Sequence, residues 1–193
     1  FTDTQLGILT GLSFSLFYAT LGLPIALLAD RYSRTNIISI AVCLWSLMTA
    51  LCGLATGFMS LFIARMGVGV GEAGGYPPTT SLVADYFPPE KRGFVFSILA
   101  TAIPMGVFAG FIIGGVVNQY YGWRIAFAVV GIPGVLLALL LKLTMREPPR
   151  GFSENLVDTS PPSTFAETVQ YLWAKTSYRF VIAGACLFTL GAY

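Results

Sequence analysis

Residues 93–123, from Gly93 to Trp123, read GFVFSILATAIPMGVFAGFIIGGVVNQYYGW, which is 31 consecutive residues without a charge. About 20 helical residues cross the roughly 30 Å hydrocarbon core of a bilayer. This run is therefore long enough to cross and to begin a turn. Two more lie before it: Thr4 to Ala29, 26 residues, and Thr35 to Ala64, 30 residues. Charged residues make up 10% of the 193-residue chain, against about 25% in a soluble domain. The hydrophobic share is 55% and the mean hydropathy is +0.76. Too little polar surface is available to cover a soluble fold. The fold class is an all-α polytopic membrane protein, in which every backbone polar group is satisfied inside helices.

Breaks in the pattern divide the chain. The spacing predicts full spans at Leu6–Ala29, Ile37–Ala55, Leu61–Phe87, Gly93–Val117 and Trp123–Leu143. Turns fall at 30–36, Thr56–Gly57, 88–93 and 118–122. Residues 1–143 form the transmembrane bundle. Residues 144–163, with four prolines and five charges, read as a linker. Within 164–193, Thr164 and Glu167 match a capping box. Phe165, Val169, Leu172 and Trp173 then recur at helical spacing, as in an interfacial helix. Phe180 to Tyr193 begins a sixth span that the sequence leaves unfinished.

Lys and Arg fall in alternate loops: Arg31 and Arg34, then Lys91 and Arg92, then Lys142, Arg146 and Arg150. The intervening loops carry none, with Arg124 just beyond the second. The positive-inside rule places the charged loops in the cytoplasm. The first span then enters from outside, and the expectation is a further helix before it.

The residue inventory excludes much chemistry. Histidine is absent, which removes Ser-His-Asp triads, HExxH zinc sites and haem histidines. Cys43, Cys52 and Cys186 have no metal-ligand spacing and read as small buried hydrophobes. No metal, cofactor or nucleic-acid partner is indicated, and no enzyme activity. Gly69-Val70-Gly71-Glu72-Ala73-Gly74 fits G-x-G-x-x-G, but it lies inside a span and not in a βαβ unit. Gly67, Gly69, Gly71, Gly74 and Gly75, and likewise Gly106, Gly110 and Gly114, read as close helix-packing positions.

Arg65 and Glu72 are ionisable groups inside a span, where each costs roughly 2.5–3.5 kcal/mol on insertion scales. Seven residues is two turns, so both lie on one helix face, roughly 10 Å apart along the axis. Such residues face a partner or a water-filled cavity. Glu72 is the one carboxylate deep in these spans and is a candidate proton carrier. Tyr76, one turn on, is placed to hydrogen-bond it or to pack. Asp30, Arg31 and Arg34 sit at one cytoplasmic helix end, and Asp85 and Arg92 at another. Carboxylates beside arginines there are expected to form switchable ion pairs. Pro24, Pro104, Pro133 and Pro77-Pro78 interrupt four spans.

Ala26-Leu27-Leu28-Ala29-Asp30-Arg31-Tyr32-Ser33-Arg34-Thr35 resembles the G-x-x-x-D-R-x-G-R-[RK] loop of the major facilitator superfamily. Asp30, Arg31 and Arg34 match, and Ala26 and Ser33 stand where that loop has glycines. Arg65 with Val68-Gly69-Val70-Gly71-Glu72-Ala73 is similar to the R-x-x-V-G-x-G-E-A run of the spinster family, as are Ala84–Pro88 and Gly122-Trp123-Arg124. The resemblance implies a twelve-span carrier of which this chain holds the second to sixth spans and the start of the seventh. It implies substrate or proton handling by Arg65 and Glu72, and a cytoplasmic gate of Asp30, Arg34, Asp85 and Arg92; position alone adds Tyr76 to the first group and Arg31 to the second.

The expectation is a multi-pass secondary transporter of a bacterial inner membrane, moving a small or amphipathic, anionic, lysolipid-like solute by alternating access. Protons are the candidate coupling ion. Its partners are the bilayer, the solute and the remainder of its own chain. Two alternatives stand beside it. One is a small organic-anion symporter or drug exporter of the same superfamily. The other is a non-transporting receptor or scaffold, which would tolerate Glu72→Gln.

Overall fold

The computed structural model describes residues 2–154 and 165–192. It divides into two compact units, Phe1–Asp158 and Thr159–Tyr193, and each is taken by itself.

In the first unit six helices follow one another: α1 (Asp3–Arg31), α2 (Arg34–Cys52), α3 (Phe58–Ala73), α4 (Tyr76–Tyr86), α5 (Pro89–Tyr121) and α6 (Trp123–Thr144). Among the described residues, α1, α2, α5 and α6 are each long and apolar enough to cross a membrane. Helix α1 starts at a capping box, in which Thr2 Oγ1 accepts from Gln5 N–H and the Gln5 side chain accepts from Thr2 N–H. Its second turn widens into a π-turn at Ile8–Leu12.

The third expected span is present as two helices. Gly74 and Gly75 separate α3 from α4, with Gly74 at φ −85° and ψ 0°. Pro77 and Pro78 have no N–H to return to the preceding turn. The chain closes the gap with two tight bonds, Gly74 N–H to Gly71 O and Gly75 N–H to Glu72 O, both 3.0 Å. The fourth span corrects the sequence reading in the other direction. Helix α5 runs unbroken through Asn118–Tyr121 and stops only at Gly122, which holds φ +82°. Asn and Gln are compatible with a helix, whereas a left-handed glycine ends one. At 33 residues, α5 is about 50 Å long.

Helix α2 is the hub, packed along α6 and against α3, while α3 also lies on α1. The contacts are made backbone to backbone. A Cβ on Gly71 would come within 2.6 Å of Trp45 N, and one on Gly69 within 2.6 Å of Phe14 O. Small residues here are a steric requirement. Gly106, Gly110 and Gly114 differ from the expectation. Among the described residues nothing lies within 4 Å of a Cβ built on any of them. No residue of α5 is buried, and these glycines face open space.

The second unit contains α7 (Phe165–Ala174) and α8 (Thr176–Ala192), which pack on each other. Lys175 lies over the Tyr171 ring at 5.0 Å. The expected capping residue Thr164 and positions 155–163 of the expected linker lie outside the described residues.

Candidate functional site

Two groups of charged residues stand out in the first unit. One is inside the spans on α3 and α4, and the other lies where α1 ends and α2 begins.

The seven-residue spacing on α3 places Arg65 and Glu72 two turns apart. Neither is fully buried or fully exposed. They open into different hollows. Arg65 lines a cavity of about 560 Å³ with Thr49, Phe111, Asn118 and Phe127. Its guanidinium carbon lies 5.9 Å from the centre of the Phe127 ring, within cation–π range. Glu72 and Tyr76 line another cavity of about 760 Å³, together with Tyr18, Trp45, Thr79 and Phe96. The break at Gly74–Gly75 carries Tyr76 onto a new helix, where it is 62% exposed. No hydrogen bond joins it to Glu72. Among the described residues Glu72 has no hydrogen-bond or ion-pair partner, and Arg65 is the cation whose field reaches it. A carboxylate within a span, facing a cavity and unpaired, is available to a proton or to a cationic group of a solute.

The second group is densely bonded. Arg34, 1% exposed, uses all three guanidinium nitrogens. Its Nε donates to Glu147 Oε1 at 2.8 Å, and Nη2 donates to Pro148 O at 3.1 Å. Nη1 donates to Asp85 Oδ2 and to Ser81 Oγ. Glu147 continues the network, because its Oε2 accepts from Ser33 Oγ at 2.9 Å and from Thr35 N–H at 2.8 Å. Ser33, where the family loop has glycine, thus caps α2 through Asn36 N–H and also holds Glu147. Burial pushes the Glu147 carboxyl up, but it is outweighed by the Thr35 N–H, Arg34 and Ser33 bonds, which hold it at about 2. Asp85 Oδ1 accepts from Gly151 N–H at 2.9 Å.

The remaining gate candidates are placed differently. Asp30 is 3.9 Å from Arg150, which also donates to Ala29 O at 2.6 Å. Arg31 is exposed and makes no hydrogen bond or ion pair among the described residues. Arg92 donates to Ala84 O and Phe87 O and to Ser153 Oγ. It thereby serves the carbonyl end of α4, where a cation is favoured by the helix dipole. The structure thus brings Arg34 and Asp85 together and leaves Asp30 with a partner outside the expected set.

Glu147 and Ser153 are functional candidates absent from the sequence reading, where Arg150 figures only as a loop charge. They belong to a strap, residues 145–153, laid across the ends of α1, α2 and α4. The available signal was local: one carboxylate, two prolines and two arginines within residues 146–150.

A helical membrane bundle with one span broken at Gly74–Gly75, glycine-mediated packing and an arginine clamped at a helix end defines the class as a polytopic helical membrane fold. The Major Facilitator Superfamily model matches residues 1–193, and the chain belongs to that superfamily. An MFS-type efflux pump of Mycolicibacterium smegmatis is 31% identical over all of this chain and 44% of its own length. Protein spinster homolog 1 of Homo sapiens is 37% identical over 75% of this chain and 28% of its own. A crystal structure of a bacterial homolog to the human lysosomal transporter Spinster, inward-facing and unoccupied, is 40% identical. It superposes with TM-score 0.73 over 91% of this chain and 42% of that one. The chain spans less than half the length of these relatives.

Proposed function

We propose that the protein to which this chain belongs is a secondary active transporter. It moves a small or amphipathic anionic solute, lysolipid-like in kind, across a bacterial inner membrane by alternating access, coupled to protons. Glu72 carries this reading: it is a carboxylate inside a span, without a hydrogen-bond or ion-pair partner among the described residues and facing a cavity of about 760 Å³, and such groups mark ion and proton pathways. Arg65 supplies the positive charge for an anionic headgroup. Tyr76 lines the solute's path beside Glu72. Arg34, Asp85, Asp30, Arg31 and Arg92 form the cytoplasmic gate, held in register by the strap. Residues 1–143 are the membrane bundle, and α7 lies in the membrane interface ahead of the next span.

An efflux pump for small molecules shares every one of these features, and the similarity to the Mycolicibacterium smegmatis pump over the whole chain favours it as the second reading. Binding of an anionic lysolipid to the complete protein, wild type and Arg65→Ala, tests the proposal. Loss of binding in the variant supports an anion site at Arg65, and equal binding contradicts it.

A further inference from the structure

Helices α2 and α6 run antiparallel, with Asn36 meeting Lys142 and Ser46 lying against Gly134, and a groove of about 480 Å³ follows their seam. At its charged end Lys142 Nζ donates to Asn36 Oδ1. Below that pair the groove is lined by Ile40, Cys43, Val135 and Leu139. Asn36 to Cys43 is seven residues, about 10 Å along the helix, well within the roughly 15 Å of hydrocarbon in one leaflet, half of a 30 Å core. The seam therefore offers an apolar channel for an acyl chain, capped at one end by polar donors.

The donors have a definite sign. Lys142 can only donate, so it takes the amide oxygen of Asn36, and the amide nitrogen keeps two N–H donors with no acceptor among the described residues. The ammonium group keeps two further N–H donors. Both residues are exposed. A lysine in the last turn of α6 is accounted for by loop charge and by the helix dipole. Neither accounts for an amide oriented by that lysine at the head of an apolar groove. A cluster of donors without acceptors calls for an anion.

We propose that this seam binds an anionic phospholipid of the cytoplasmic leaflet, with its phosphate on Lys142 and Asn36 and one acyl chain along Ile40, Cys43, Val135 and Leu139. The site is separate from both cavities of the transport path and rests on the cytoplasmic placement of the charged helix ends.

The test is lipid retention by the complete protein in detergent, read by native mass spectrometry, with phosphatidylglycerol and phosphatidylcholine of matched chains. Its readout does not depend on transport. Wild type should retain phosphatidylglycerol preferentially. Lys142→Gln should weaken that binding about fivefold, equivalent to the roughly 1 kcal/mol contributed by one basic residue near a membrane surface. Lys142→Arg should keep the preference. Leu139→Trp, which fills the groove, should weaken both lipids, and Lys91→Gln should change neither. Equal retention of the two lipids by wild type overturns the proposal. So does an equal loss in Lys142→Gln and Lys91→Gln, which would mean diffuse surface charge, or unchanged binding in Leu139→Trp.

Discussion

Arg34 and Glu147, 113 positions apart in the chain, meet at 2.8 Å between Nε and Oε1. The same guanidinium holds Asp85, so one buried cation joins the start of α2, the end of α4 and the strap that follows α6. The geometry uses the fork of an arginine, with three nitrogens shared among acceptors on Glu147, Pro148, Asp85 and Ser81.

Removing a partner from this network leaves a charge uncompensated. Arg34→Ala strands Asp85 and Glu147 together and should cost about 3–5 kcal/mol, the range for a broken buried pair. Arg34→Lys should rescue little, because an ammonium cannot reach the Nε, Nη1 and Nη2 acceptors at once. Thermal unfolding of the complete protein in detergent measures both. A lysine variant as stable as wild type would contradict the account.

The Glu147 carboxyl titrates at about 2, against an ordinary value of 4.5. A depressed carboxylate contributes stability that is fully present above its unfolded value and is lost as pH falls toward its folded value. The difference in melting temperature between wild type and Glu147→Gln should be constant from pH 7 to about 5. It should then shrink between 4.5 and about 2. A difference independent of pH would remove the charge from the explanation.

Gly71→Ala places a methyl 2.6 Å from Trp45 N, a main-chain atom that cannot move aside. Overpacking of this kind costs about 1–3 kcal/mol. Gly93→Ala has nothing within 4 Å and should be neutral or gain up to about 1 kcal/mol of helix propensity. Unfolding midpoints of the two variants check the contrast.

The spans were legible because a lack of charge over 26 to 31 residues leaves few alternatives to a membrane helix. Arg34 and Asp85 were legible as gate candidates from their position beside helix ends. The two helix boundaries that differed have local causes. Pro77-Pro78 reads equally as a kink or a break, and the adjoining Gly74–Gly75 decides for a break. Asn118–Tyr121 is polar enough to suggest a loop, yet only Gly122 adopts a helix-ending conformation. Glu147 could not be read at all, because its partners are set by packing across 112 to 114 positions. Gly106, Gly110 and Gly114 show the converse: a four-residue glycine spacing permits close approach but does not bring a neighbour.

The alternation of Lys and Arg predicts that Arg34, Lys91 and Arg146 face the cytoplasm and Gln119 the outside. Single cysteines at 91 and 119 in the complete protein, treated with a membrane-impermeant thiol reagent in intact cells, should label at 119 only. Labelling at 91 from outside would invert the orientation, and with it the assignment of the strap to the cytoplasmic gate.

The central claim is that Glu72 is a proton site in the transport cycle. By linkage, whatever protonation of Glu72 does to solute affinity, the solute does to proton affinity by the same factor. Glu72→Gln fixes the neutral form and should break that link. The direct measurement is gradient-driven transport by the complete protein in proteoliposomes, wild type and Glu72→Gln, over a pH series. The account predicts that the variant still binds solute but loses the pH dependence that wild type shows. Identical pH profiles in the two proteins would contradict it and leave Glu72 as a polar clamp between helices.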